Sequence, residues 1–385
     1  MLKSRRVPAD LSPNHLLRTL ERILGEGAPV LDLTVSNPTK CGFDYPEARI
    51  REALAGREIL DYDPDPRGSH AAREAIAAWH GHGISPDDVL LTASTSEAYS
   101  WLFKLLCDTG DEVLVPSPSY PLFEWLARME GITAHSVPAF FHERWHLDLE
   151  ALEAACGAGT RALIAVNPDN PTGHFLSPKE WLGLMDVCAR KQLALIVDEV
   201  FADYALEAPE DRLNTALETE DPPCTLFVLS GLSKIAALPQ VKLGWILARG
   251  PAAKELLEPL AFIADQYLSV SAGVQAAAPA LLELAPGLQE QIRRRLRGNL
   301  ALLDTRLSEH PGLSRLPVEG GWSVILHRPA VDSDEACSLR LLEEARVFVH
   351  PGHFFDLPGD GYLVLSLIVP PEILGEGLRR IIPLL

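Results

Sequence analysis

No two cysteines stand at CxxC spacing. The six present (Cys41, Cys107, Cys156, Cys188, Cys224 and Cys337) are scattered through 385 residues. They read as reduced, mostly buried thiols of a cytoplasmic protein rather than as a disulfide framework, and no metal site is expected. Positive charge is also scarce, with 34 Lys and Arg against 53 Asp and Glu for a formal charge of −19. Nucleic acid or an anionic membrane surface as partner would call for the opposite balance. No stretch approaches the roughly 20 apolar residues of a membrane helix. The basic start, MLKSRRVPAD, leads into no apolar run and does not read as a secretory signal. Internal repeats and low-complexity segments are absent as well.

What is present is an ordinary globular composition, 47% apolar and 23% charged. At this length two domains are the default expectation. Short apolar runs alternate with amphipathic ones: DVLLTA (88–93), DEVLVP (111–116), RALIAVNP (161–168), LALIVDEV (193–200) and TLFVLSG (225–231). After the third comes SPKEWLGLMDVCARK, with Ser177 as a cap and Pro178 at the first helical position. Fully apolar strands separated by helices imply an α/β fold with a mostly parallel sheet sandwiched by helices. Near residue 285 the pattern changes. A charged helix over 289–310 leads to strands near 313–317 and 322–327, a helix near 335–344, strands at 347–350 and 362–367, and a terminal helix from Pro371. The expected division is a large domain over 46–280, with 1–45 and 281–385 forming an N-terminal arm and a smaller α+β domain.

Polar residues cluster at the carboxyl ends of the expected strands: Ser94–Ser96, Asn167–Gly173, Asp198 and Ser230–Lys234. Ligands gather there in open α/β sheets, so these ends suggest one shared crevice. Asp198 ends an apolar run, and a carboxylate in that setting needs a cation or donors. Lys234 and Lys242, in VLSGLSKIAALPQVKLGWI, stand among residues that normally exclude charge. A carboxylate facing a protonated pyridine nitrogen, together with an amine that condenses with an aldehyde, is the pair that pyridoxal phosphate demands.

The segment SGLSKIAALPQVKLGW resembles the Schiff-base segment of class I/II, fold-type I, pyridoxal-phosphate-dependent aminotransferases. The resemblance implies the fold-type I transferase architecture, with Lys234 as the catalytic Schiff-base lysine and Lys242 on the cofactor phosphate. NPDNPTG is similar to the asparagine loop and implies that Asn170 bonds the ring oxygen. DEVF implies Asp198 on the pyridinium and Phe201 beside the ring. TASTSEA implies a phosphate cradle of Ser94, Thr95 and Ser96, with Ser233 or Ser230 supplying a further hydroxyl. PSPSYP puts Tyr120 on the ring face, and YDPDPRG implies that Tyr62 reaches the site of a second copy in a homodimer. The ordered matches run from about Asp32 to Trp245, and GGW (320–322) fits the small domain.

Three positions depart from the family pattern. Phe201 replaces a tyrosine that donates to the ring oxygen, and Lys242 replaces an arginine and its bidentate fork. Val364 falls where relatives carry the arginine that grips the substrate carboxylate, and no arginine occurs between Val347 and Gly377. Ser36, Asn37, Lys40 and Arg67 are the substrate-binding candidates by position, with His350 and His353 as further pocket residues. The activity implied is transfer of an amino group between an amino acid and a 2-oxo acid, with a neutral donor. A decarboxylase or carbon–sulfur lyase on the same scaffold is the alternative reading, and a catalytically retired ligand-sensing module is the third.

Overall fold

The computed structural model describes residues 3–385. Eight strands form the central sheet: Val89–Thr92 (β1), Glu112–Ser117 (β2), Thr133–His142 (β3), Arg144–Leu147 (β4), Thr160–Val166 (β5), Ala194–Asp198 (β6), Leu226–Gly231 (β7) and Gly244–Arg249 (β8). Their order is β1-β8-β7-β6-β5-β2-β3-β4. The five inner strands β7, β6, β5, β2 and β3 run parallel. β8 is antiparallel to both of its neighbours, and β4 is antiparallel to β3. The five apolar runs of the sequence supply β1, β2, β5, β6 and β7, all buried or nearly so because helices cover both faces. The β3–β4 edge hairpin escaped the sequence reading for the converse reason. Most of Thr133–His142 is exposed or half-exposed and carries no apolar run.

One face of the sheet packs against helices His70–His80 and Pro178–Lys191 and the first half of Ala272–Leu307. The other packs against Thr95–Leu106, Phe123–Glu130 and Ala253–Asp265. Helix Pro178–Lys191 starts as its sequence predicts. Ser177 caps the Glu180 N–H, and the Glu180 carboxylate accepts from the Ser177 N–H in return.

The charged helix expected over 289–310 is the second half of a single 36-residue helix, Ala272–Leu307, which contains Pro279 and Pro286. Each internal proline costs about 3 kcal/mol, and burial on two cores offsets it. Its buried residues up to Ala285 join the core of the large domain, whereas those from Ile292 join a second core. The change of core, expected at 280/281, therefore comes between Ala285 and Ile292, inside a continuous helix rather than at a linker.

The second core collects Leu33 and Cys41 from the N-terminal arm, Phe201 and Tyr204 from beyond β6, and the small domain. There the run at 347–350 divides. Val347–Phe348 pairs in parallel with Leu31–Asp32, whereas His350–Pro351 joins an antiparallel sheet with Tyr362–Ser366, Ser323–His327 and Ser314–Arg315.

The two domains meet closely at Gly173, which has φ +71°. A Cβ there would stand 2.7 Å from the carbonyl oxygen of Gly320. Gly173→Ala is expected to destabilise the fold by more than about 1 kcal/mol, since both the positive φ and the contact oppose a side chain. Urea unfolding of the two proteins measures it, and an unchanged midpoint would refute the close approach.

Candidate active site

The neighbouring strands β6 and β7 lead to the two charged groups of the site, Asp198 at the end of β6 and Lys234 in the helix after β7. Asp198 is the last residue of β6 and is buried. Its Oδ2 accepts from the Tyr99 hydroxyl at 3.1 Å and its Oδ1 from the Val200 N–H at 3.1 Å. Burial pushes the carboxyl up to about 6, against the pull of those two donors and of Lys234. Glu199, the next residue, is driven up to about 7 by burial and is held by Thr215 and the Ala216 N–H.

Lys234 sits in the short helix Leu232–Ile235 that follows β7. Its Nζ lies 5.5 Å from the Phe201 ring centroid and 5.1 Å from that of Trp322, so two aromatic rings wall the amine. Burial lowers its pKa, with the Asp198 charge opposing.

The first residue of β8, Gly244, comes close to the turn before helix Thr95–Leu106. A Cβ on Gly244 would meet Ser94 and Thr92 at 3.0 Å. Ser94 caps the helix by accepting from the Glu97 N–H. The first intrahelical bond runs from the Ala98 N–H to the Ser94 carbonyl, so the Thr95 and Ser96 N–H groups remain to face an anion. The Glu97 carboxylate is turned onto the Ala93 N–H and Ser269 hydroxyl. Asn170 presents its amide from the loop after β5, and its Oδ1 accepts from the Ser323 hydroxyl at 3.0 Å. The Ser230 hydroxyl, at the end of β7, is buried with no partner among the described residues.

The remaining candidates lie further out. Tyr120 is exposed, with its ring centroid 6.5 Å from that of Phe355. Tyr62 is 84% exposed. Ser233 is half-buried next to Lys234. Lys242 differs from its sequence expectation. Instead of being enclosed by VKLGWI, it is exposed at a turn with φ +62°, because β8 begins only at Gly244. Arg67 is turned away, donating to the Asp87 carbonyl and lying 3.8 Å from Glu258. Asn37 spends its side-chain oxygen on Thr39. Ser36 and Lys40 are exposed, and Lys40 has no ion-pair partner among the described residues. Val364 packs with Trp145, Leu316, Ile325, Phe355 and Leu357, directly across from His350 in the small sheet. His350 is itself held low by burial, which disfavours the imidazolium. His353 is exposed.

Three groups were not anticipated: Tyr99 on Asp198, Ser323 on Asn170, and Tyr204, whose hydroxyl donates to the Lys234 carbonyl at 2.6 Å. Tyr99 and Tyr204 carried a weak sequence signal, each a polar-tipped aromatic beside apolar residues.

A family model described as aminotransferase class I and II matches residues 28–381. The chain belongs to the class I and II aminotransferases. The alanine aminotransferase of Mycobacterium tuberculosis is 27% identical over 377 residues, covering 94% of this chain and 86% of that protein. The arginine–pyruvate transaminase AruH of Pseudomonas aeruginosa is 31% identical over 374 residues, 94% of this chain and 92% of that one. Among solved structures, an alanine aminotransferase from Pyrococcus furiosus superposes with a TM-score of 0.88 at 26% identity, covering 98% of both chains. The aminotransferase is thus an enzyme of amino-group transfer with the fold-type I architecture, in a family that works with pyridoxal phosphate.

The residues present fit that cofactor. A buried carboxylate, a desolvated amine, an unpartnered Ser230 hydroxyl and free helix N–H groups are the donors and acceptors that its ring nitrogen, aldehyde and phosphate require.

The Asp198 carboxyl titrates near 6 in the folded, cofactor-free protein and near 3.9 when unfolded. The folded state therefore holds the extra proton between those values, and stability falls as pH rises from about 4 to about 6. Asp198→Asn is expected to stabilise the cofactor-free protein at pH 8 by on the order of 2 kcal/mol, seen as a higher thermal midpoint, and to weaken cofactor binding. The gain should vanish near pH 4. Calorimetry at the two pH values checks the sign.

Proposed function

We propose that Lys234 is the residue through which this aminotransferase holds its cofactor and moves the proton of amino transfer. The observation carrying this reading is the opposed pair: an amine depressed by burial and a carboxylate raised by burial, each the other's charge partner. When bound, pyridoxal phosphate supplies the electron sink for the bond broken at the substrate α-carbon. Asp198 is suited to keep the ring nitrogen protonated, and Tyr99 and Val200 hold its carboxylate in place. Asn170 would face the ring oxygen, with Phe201 leaving that side one donor short. Ser94, Thr95, Ser96, Ser233 and the exposed Lys242 would take the phosphate, and Tyr120 one ring face. Lys234 must be neutral at Nζ to accept the α-proton, and its desolvation favours that form.

The strand pair Ser323–His327 and Tyr362–Ser366 turns Ile325 and Val364 into an apolar cluster. An apolar cluster where the family pattern calls for an arginine supports a donor with a neutral, apolar side chain. Lys40 is the remaining cation for its carboxylate. Six free thiols suit a reducing compartment such as the cytoplasm.

A second copy of the chain would complete the site. Ile59, Leu60, Tyr62, Phe262, Tyr267 and Leu268 are exposed large apolar residues. Tyr62 and Leu268 line a crevice of about 160 Å³ together with Ser269, which bonds Glu97 at the start of helix Thr95–Leu106. An apolar surface continuous with the phosphate end supports a homodimer with Tyr62 crossing over.

Mixing the cofactor-loaded enzyme with single amino acids reads the half-reaction directly by absorbance. Leucine or phenylalanine is expected to convert the cofactor to its amine form at least about tenfold faster than aspartate. Lys234→Ala should retain the cofactor and convert it with none of them. Conversion by that variant at the native rate would sink the assignment. Sedimentation should give twice the chain mass for the native enzyme and the single mass for a Leu60→Asp, Phe262→Asp variant. A native monomer that turns over would refute the shared site.

A further inference from the structure

A lysine side chain has four rotatable bonds, so where its amine stands depends on how its main chain is anchored and what walls it in. Tyr204 bears on both. Its hydroxyl donates to the Lys234 carbonyl at 2.6 Å. Its ring packs at 5.2 Å, edge to face, on Trp322, one of the two rings beside the Lys234 amine. Its own carbonyl accepts from the Gly321 N–H, and a Cβ on Gly320 would come within 3.0 Å of that oxygen. One buried residue thus touches the lysine turn, the ring wall and the small-domain turn that carries the wall.

The short helix bearing Lys234 has few bonds of its own. It spans four residues, and the chain leaves it at Ala237 with φ +54°. Side chains from elsewhere take carbonyls of the helix and of the turn after it: Tyr204 on Lys234, Gln289 on Ile235 at 3.1 Å and Tyr45 on Ala237 at 2.8 Å. Of the three, Tyr204 alone bonds the lysine itself and also meets its ring wall. Burial, with the Asp203 charge adding and Arg293 opposing, holds the Tyr204 phenol far above its usual range, so it remains a donor.

We propose that Tyr204 is a positioning residue for Lys234, fixing the lysine main chain relative to the Phe201–Trp322 wall so that the amine meets the reacting carbon in one geometry. This rests on Lys234 being the cofactor lysine. Tyr204 stands three residues beyond Phe201, and its hydroxyl acts on the lysine backbone rather than on the cofactor.

Tyr204→Phe deletes the hydroxyl and keeps the ring contacts. In the cofactor-loaded enzyme, the pH midpoint of the bound cofactor's absorption change is expected to move by about half a unit or more. The kcat should fall about tenfold while KM stays within about twofold. Tyr45→Phe removes a bond of the same kind three residues further on and should lower the thermal midpoint without moving the spectral one. A Tyr204→Phe enzyme with the native spectral midpoint and kcat overturns the proposal, even if its thermal midpoint drops. Borohydride reduction of the native enzyme followed by peptide mapping separates the two readings. Cofactor fixed on Lys234 leaves only the Tyr204 claim at stake, whereas cofactor fixed elsewhere ends both.

Discussion

Burying a carboxyl group at the end of one strand and an amine just past the end of its neighbour is the constraint around which the rest of this protein is arranged. Asp198 and Lys234 are each penalised by burial, and each is the other's charge partner. Two hydrogen bonds to Asp198 and two aromatic rings around Lys234 offset only part of that cost. The carboxyl still titrates near 6 and the amine still sits low. A site that is strained until loaded is suited to bind a group that is cationic at one end and reactive toward amines at the other. The parallel order of β5, β6 and β7 is what makes this possible, because it delivers Asn170, Asp198 and Lys234 to the same edge of one sheet.

The second domain closes the site by contact at its turns. Gly320–Trp322 meets the asparagine loop at Gly173, bonds Tyr204 through the Gly321 N–H and presents the Trp322 ring to the amine. Ser323, the next residue, reaches Asn170. The 36-residue helix runs through both cores, and its Gln289 donates to the Ile235 carbonyl of the lysine turn. Domain placement and amine placement are therefore a single packing problem in this chain.

At Val364 the structure supplies apolar surface rather than a charge. Val364 is enclosed in a hydrophobic cluster, and the pKa of its cross-strand neighbour His350 is lowered by burial. Arg67, a candidate by position, is engaged with Asp87 and Glu258. Lys242 is freed to solvent by a turn that the apolar residues around it conceal. Sequence neighbours gave the wrong surroundings for Lys242 because two buried residues can flank a loop as readily as a strand.

The sequence by itself determined the layered α/β architecture and the identity of the opposed carboxylate and amine. Apolar runs of strand length have one stable use, and a charged residue ending such a run has few. It missed the β3–β4 hairpin and the unbroken helix through Pro279 and Pro286, where exposure erased the apolar signal in one case and burial overrode a strong local penalty in the other. Tyr99 on Asp198, Ser323 on Asn170 and Tyr204 on the Lys234 carbonyl were decided by the tertiary structure alone. Such bonds join residues 30 to 153 positions apart, and only close packing determines which hydroxyl reaches which buried group.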